Sequence, residues 1–140
     1  IADDDTWSDI FSRVLVERIE PQLGHGRAAL LDRYPRPEAA WAESDADPRL
    51  ARRFELYVCG VELANGFAEL TDATEQRRRF EAAMTERQRR YGEQYPIDGD
   101  FLDALAQMPR ASGIALGFDR LVMLATGAPK IENVLWAPVA

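Results

Sequence analysis

The stretch Gly113-Ile114-Ala115-Leu116-Gly117-Phe118-Asp119-Arg120-Leu121-Val122-Met123-Leu124 constrains the fold of this chain more than any other. In its first half the small residues Gly113, Ala115 and Gly117 alternate with Ile114 and Leu116. Period-two alternation reads as a short strand, its large apolar side chains turned to a core and its other face nearly bare. A bare strand face admits the close approach of a ligand, and equally of a tightly packed helix. After Gly117 the apolar spacing becomes helical through Phe118, Leu121, Val122 and Leu124. Arg120 then falls in the first turn of that helix, where a fixed cation beside free N–H groups suits a polyphosphate.

Length and composition narrow the setting. A chain of 140 residues is one domain, or a piece of a larger one, and is long enough for a core. Apolar residues make up 46%, yet no run approaches the roughly 20 needed to span a bilayer, so no membrane association is expected. The acidic start Ile1-Ala2-Asp3-Asp4-Asp5 lacks the apolar heart of a signal peptide, and the missing initiator methionine predicts a fragment or a processed chain. A lone cysteine, Cys59, leaves no internal disulfide and fits a reducing, cytoplasmic location. The net charge of −7 argues against indiscriminate binding to nucleic-acid backbone. Sixteen of the seventeen basic residues are arginine, which reads as genome composition rather than function.

Along the chain, Thr6 and Asp9 have the form of a capping box ahead of a helix that should stop before Pro21. Gly24-His25-Gly26 reads as a loop, and residues 28–34 as a strand closed by Pro35 and Pro37. Residues 38–49, anchored by Trp41, read as a surface connection. Alternation from Arg53 to Leu70, broken at Gly60, predicts an antiparallel hairpin. Asp72 and Glu75 should reciprocally cap a long helix with Ala73, Phe80, Ala83, Met84 and Tyr91 on its apolar side, ended by Gly92. Its arginines alternate with glutamates, the mark of a solvated surface laced with ion pairs. A short helix over residues 101–107 leads to the glycine-rich strand, and residues 134–137 suggest a last edge strand.

Glu55 and Glu62 lie on the hairpin, where charge is uncommon unless paired or useful. If Cys59-Gly60 is a two-residue loop, Tyr57 faces Glu62 and Glu55 faces Ala64, so the glutamates are diagonal neighbours roughly 7–8 Å apart at the backbone. Two such carboxylates suit one magnesium ion, the rest of its shell coming from water and phosphate. A loop longer by one residue would split them between faces, and an exposed acidic sheet face remains the alternative.

The Gly113–Leu124 string resembles motif 3 of class II aminoacyl-tRNA synthetases, and Glu62-Leu63-Ala64-Asn65-Gly66-Phe67-Ala68-Glu69-Leu70-Thr71-Asp72 resembles the segment before the long helix of their lysyl members. It is still more similar to the paralogous ligases that attach β-lysine to a lysine of translation elongation factor P. The resemblance implies an α+β fold, an antiparallel sheet with flanking helices, here as the C-terminal part of the catalytic domain. It implies ATP and Mg2+ at Glu55, Glu62, Gly113, Gly117 and Arg120, with Glu62 and Arg120 acting in catalysis. Asn65, Phe67, Glu69 and Ala115 would meet a lysine or β-lysine substrate, Glu69 pairing with its side-chain ammonium. The implied acceptor is elongation factor P, with tRNA as the alternative and a homodimer expected of the full-length protein. Motifs 1 and 2 are not found in residues 1–140, so the site is expected to be half built, and a non-catalytic interaction module is a further alternative. Strict alternation puts Glu62 and Glu69 on opposite faces, so a shared cavity requires a bulge or twist near Gly66.

Overall fold

The computed structural model describes Ala2 and residues 5–137. In chain order its main elements are α1 (Trp7–Val14), β1 (Ala29–Asp32), β2 (Arg53–Val58), β3 (Val61–Ala68), α2 (Ala73–Tyr91), α3 (Gly99–Leu105), β4 (Ser112–Leu116) and α4 (Phe118–Thr126). The strands form one sheet in the order β1-β2-β3-β4. The chain divides into two compact units: one comprises Ile1–Arg33, Arg53–Gly66 and Ile114–Ala140, the other Tyr34–Arg52 and Phe67–Gly113.

In the first unit, β1 and β2 are antiparallel, with Ala29 opposite Tyr57 and Asp32 opposite Phe54. Helix α1 starts where expected. The Thr6 N–H donates to Asp9 Oδ2 at 2.8 Å and the Asp9 N–H donates to Thr6 Oγ1 at 3.3 Å, the reciprocal pattern of a capping box. The helix does not run evenly to Pro21. Leu15–Ile19 form a π-helical turn and Glu20–Gln22 a 3-10 turn that includes Pro21. At the start of such a turn proline's missing N–H costs nothing, so the chain can coil through it. His25 is an exposed loop residue, its Nε2 at 2.8 Å from the Pro21 carbonyl.

Cys59 (φ 53°) and Gly60 (φ 75°) both take left-handed backbone, the signature of a two-residue type I′ hairpin. The loop preceding β1 is fastened to this turn: the Cys59 N–H donates to Gly24 O at 2.9 Å and the Gly60 N–H to Leu23 O at 2.8 Å. At the end of the unit, Gly117 precedes the first turn of α4 and left-handed Gly127 (φ 68°) closes the helix. Two expectations change here. Ile114 and Leu116, on the terminal strand of the sheet order, are 62% and 52% exposed rather than in a core. Beyond α4, Ile131–Asn133 make a 3-10 turn and residues 134–137 add no strand.

In the second unit, residues 38–49 are more than a surface connection. Isolated bridges pair Pro35 with Leu50, Ala42 with Glu69 and Ser44 with Ala51, and Ala39, Ala42 and Ala51 form a buried cluster against which Phe67 packs. Small side chains let these backbone segments approach closely. Trp41 meets Phe80 and Phe101 edge-on at 5.3 and 5.9 Å between ring centroids.

Asp72 caps α2 by accepting from the N–H groups of Thr74 and Glu75, and Gly92 ends the helix in left-handed conformation. Glu75 does not complete a box. Its carboxylate instead collects Arg78 and Arg79 at 2.8 Å and Arg36 at 2.7 Å, and these guanidiniums hold it well below the usual carboxylate range. Arg79 also donates to the carbonyls of Ala39 and Ala42. The apolar side expected of α2 is thin: its buried residue is Gln76, and Tyr91 is 65% exposed. Along the outer face Glu86 pairs with Arg89 and Arg90, and Arg87 pairs with Glu93 beyond the helix, as the charge pattern predicts. α3 begins two residues before the expected start, capped by Asp98, and buries Leu102 and Leu105. No helix among the described residues is long and apolar enough to cross a membrane.

The loop–turn junction is the most sharply testable packing feature. A Cβ on Gly24 (φ 75°) would lie 2.5 Å from the Tyr57 carbonyl oxygen and 2.8 Å from Val58 Cα, whereas one on Gly26 (φ 75°) meets nothing within 4 Å. Gly26→Ala should therefore cost only the left-handed penalty of about 1–2 kcal/mol. Gly24→Ala should cost clearly more, since backbone must move. Denaturant unfolding of both variants measures this, and equal losses would contradict the packing described.

Candidate functional site

Within the first unit a cleft of about 370 Å³ opens beside β3 and the junction of β4 with α4. Glu62, Asn65, Ala115, Gly117, Asp119 and Arg120 line it, together with apolar residues including Leu63 and Ile131. The junction owes its shape to Gly117, whose N–H donates to Leu63 O at 2.9 Å and ties the end of the strand to β3. Because Gly117 offers no side-chain cap, the first N–H groups of α4 are left for another acceptor.

Arg120, in the first turn of α4, folds back across this junction. Its Nη1 donates to the Glu62 carbonyl at 2.7 Å and to Glu62 Oε2 at 3.0 Å. A Cβ on Gly117 would lie 3.2 Å from Arg120 Cδ, so the glycine makes room for the arginine as well as for any ligand. The ionisable lining residues, Glu62, Asp119 and Arg120, together carry one net negative charge. A bare polyphosphate is poorly suited to that balance; one accompanied by a divalent cation is well suited to it.

Glu55 does not line the cleft. It is 5% exposed, one carboxylate oxygen bound by the Arg53 guanidinium and the other accepting from the Tyr57 hydroxyl at 2.5 Å. Among the described residues no group of three acidic, histidine or cysteine side chains gathers as a ready metal cage. A carboxylate offers about four lone-pair directions, so Glu62, which lines the cleft, keeps coordinating capacity beyond Arg120, whereas both oxygens of Glu55 are hydrogen-bonded outside it. The donor set fits an ion, such as magnesium, that takes few carboxylates and completes its shell with water and phosphate.

Asn65 lines the cleft, and its Oδ1 lies 3.4 Å from Arg53 Nε. Unbroken pairing from the two-residue turn would set Asn65 opposite Phe54 and on the face away from Arg53. The contact, and the Ala68 N–H that donates to Arg52 O at 2.9 Å where unbroken pairing would set Phe67, are accounted for by one extra residue, a bulge, in β3 between the turn and Asn65. It lies upstream of Gly66.

In the second unit, the Glu69 N–H donates to Ala111 O at 3.0 Å, and Glu69 Oε1 sits 2.5 Å from where a Gly113 side chain would begin. The glycine-lined face is thus partly filled by the protein's own groups, Glu69 at Gly113 and Arg120 at Gly117. Phe67 is half-buried against the alanine cluster. The cleft gathers Glu62, Asn65, Ala115, Gly117 and Arg120; Glu55, Phe67, Glu69 and Gly113 are not among its lining residues. Sequence reasoning passed over Asp119, Arg53 and Tyr57. Asp119 was legible as an acid beside Arg120, and Arg53 and Tyr57 as the same-face neighbours of Glu55 at strand spacing.

Comparison with known proteins identifies the family. The family model described as tRNA synthetases class II (D, K and N) matches residues 29–140. Curated relatives are named as elongation factor P–(R)-beta-lysine ligases. That of Sodalis glossinidius is 51% identical over 119 residues, 84% of this chain and 37% of its own length. That of Yersinia enterocolitica is 48% identical over 123 residues, 86% and 38%. That of Proteus mirabilis is 46% identical over 142 residues, 99% and 44%. The chain spans about two-fifths of the length of these relatives. Its described strands and helices make the antiparallel α+β arrangement expected of such a partial domain. A match that runs from β1 through α4 and takes in the whole cleft places the chain in the class II tRNA synthetase family (D, K and N), where it is similar to the β-lysine ligases.

Proposed function

We propose that the protein to which this chain belongs uses ATP to activate a lysine-type amino acid, β-lysine in the first instance, and transfers it to a lysine side chain of elongation factor P. The observation that carries this reading is the back-folded Arg120 beside Glu62 in a cleft with a net negative charge, next to the uncapped start of α4. The names of relatives 46–51% identical supply the substrate and the acceptor. Cytoplasmic action and a full-length homodimer belong to the same proposal.

In this mechanism the substrate carboxylate oxygen attacks the α-phosphorus of ATP, the bond to the β-phosphate oxygen breaks, and pyrophosphate leaves. Arg120 and the N–H groups of α4 stabilise the charge that shifts onto phosphate oxygens. Glu62 would hold magnesium, which neutralises polyphosphate charge when bound. Asn65 and Ala115, in the cleft, meet the reacting end of the amino acid; it is the resemblance that assigns its methylenes to Phe67 and its terminal ammonium to Glu69. The acceptor amine then attacks the activated carbonyl carbon, AMP departs, and an amide bond remains.

Three measurements on the full-length protein test this. Glu62→Gln removes charge and little volume, so pyrophosphate exchange across a magnesium titration should be abolished while circular dichroism stays unchanged. Wild-type exchange would remove Glu62 from the site. Glu69→Gln deletes a charge-assisted pair worth about 1.5–3 kcal/mol, so affinity for the lysine-type substrate should fall roughly ten- to a hundredfold with ATP affinity little altered. Equal losses for both ligands would make Glu69 a scaffold residue.

The third concerns Ala115, whose methyl takes volume from the cleft where the amino group's position differs between α- and β-lysine. Features of one-methylene size discriminate by about 1–3 kcal/mol. Ala115→Gly should raise kcat/KM for α-lysine relative to β-lysine, and an unchanged ratio would end the selectivity role. Charging of tRNA by the wild-type protein, with no transfer to elongation factor P, would replace the acceptor proposed here.

A further inference from the structure

We infer that Arg53, which does not line the cleft, is a positioning residue that fixes the polarity of Asn65 and thereby the kind of ligand atom this part of the cleft accepts. The inference rests on reading the cleft as the site of amino-acid activation. It starts from an asymmetry of donors. Arginine carries five N–H donors and no acceptor, whereas the asparagine amide has one acceptor end and one donor end. With Arg53 Nε 3.4 Å from the Asn65 amide, the end turned towards it must be the oxygen. The NH2 end is therefore turned away from Arg53, and Asn65 lines the cleft.

Arg53 is itself held. Its guanidinium is bound to Glu55, whose other oxygen accepts from the Tyr57 hydroxyl at 2.5 Å, and Tyr57 is fully buried. Side-chain exposures of 19% for Arg53 and 6% for Glu55 leave little water to compete for these bonds. The three residues alternate along β2, so one strand face carries the whole row. Each role is forced by the next: the phenol donates, the carboxylate accepts, the guanidinium donates, and the amide oxygen accepts. A row satisfied in this way is stiff, because reversing any member leaves a buried polar group unpaired.

The consequence is chemical. Asn65 offers N–H donors to the cleft, so the ligand atom it meets is an acceptor oxygen of a carboxylate or phosphate, not an ammonium. The amino groups of a lysine-type substrate must be recognised elsewhere, and Asn65 reads its oxygen-bearing end or the nucleotide.

A double-mutant cycle in the full-length protein, followed by pyrophosphate exchange, tests this with Arg53→Gln, Asn65→Ala and the pair. Arg53→Gln should raise the KM of one ligand about tenfold, the scale of one lost hydrogen bond, with kcat changed much less. A rise for the amino acid identifies a carboxylate, and a rise for ATP identifies a phosphate. In the Asn65→Ala background the same change should raise that ligand's KM clearly less, what remains being the effect of Arg53 through Glu55. Equal losses in both backgrounds, or a uniform fall in kcat for both ligands, would overturn the inference. If Arg53→Gln does not fold, Tyr57→Phe loosens the same row and takes its place in the cycle. Should the wild-type protein activate no lysine isomer, the proposed function fails on its own. The side-chain 15N–1H resonances of Asn65 then decide the polarity claim: they should move in Arg53→Gln, and unmoved resonances would overturn it.

Discussion

The contact between the Arg120 guanidinium and Glu62 organises the cleft. It reaches from the first turn of α4 to both the carboxylate and the carbonyl of Glu62, so it reads side-chain chemistry and backbone position together. The pair is exposed enough, at 43% and 33% of the two side chains, that its contribution to stability is small. Its value lies in placement: a fixed cation and a fixed anion share one wall without cancelling entirely. Around it, Gly117 leaves room for the arginine and hands its own N–H to Leu63.

Much of this was legible in the sequence because the signals were local. Thr6 with Asp9, Asp72 and Gly92 mark helix ends through hydrogen bonds within a few residues, and Cys59-Gly60 fixes a hairpin by its own backbone. The candidate residues Glu62, Asn65, Ala115, Gly117 and Arg120 came from two motifs and meet in one cleft. What the sequence hid depended on partners distant along the chain. Glu75 looked like a capping residue until Arg36, Arg78 and Arg79 claimed it. Residues 38–49 looked solvent-exposed because alanines give no strong apolar signal, yet Ala39 and Ala42 are buried. Glu55 looked like a free site carboxylate, and only the strand row shows that Arg53 and Tyr57 hold it.

The same row alters how a buried acid in a hairpin should be understood. An ion pair of this kind adds little to stability over an apolar replacement; what it supplies here is a fixed placement of the Arg53 guanidinium. A bulge between the turn and Asn65 gives that placement an outlet, since it brings the amide round to the guanidinium.

Gly113 and Gly117 carry a wider implication. The space that their missing side chains leave is taken by Glu69 and by Arg120, so both glycines answer to intramolecular packing even without nucleotide. Both neighbours are side-chain atoms rather than backbone, so they can shift when something else approaches the bare face. The strand face is thus held by movable groups, and a ligand arriving there would exchange places with them rather than fill an empty space.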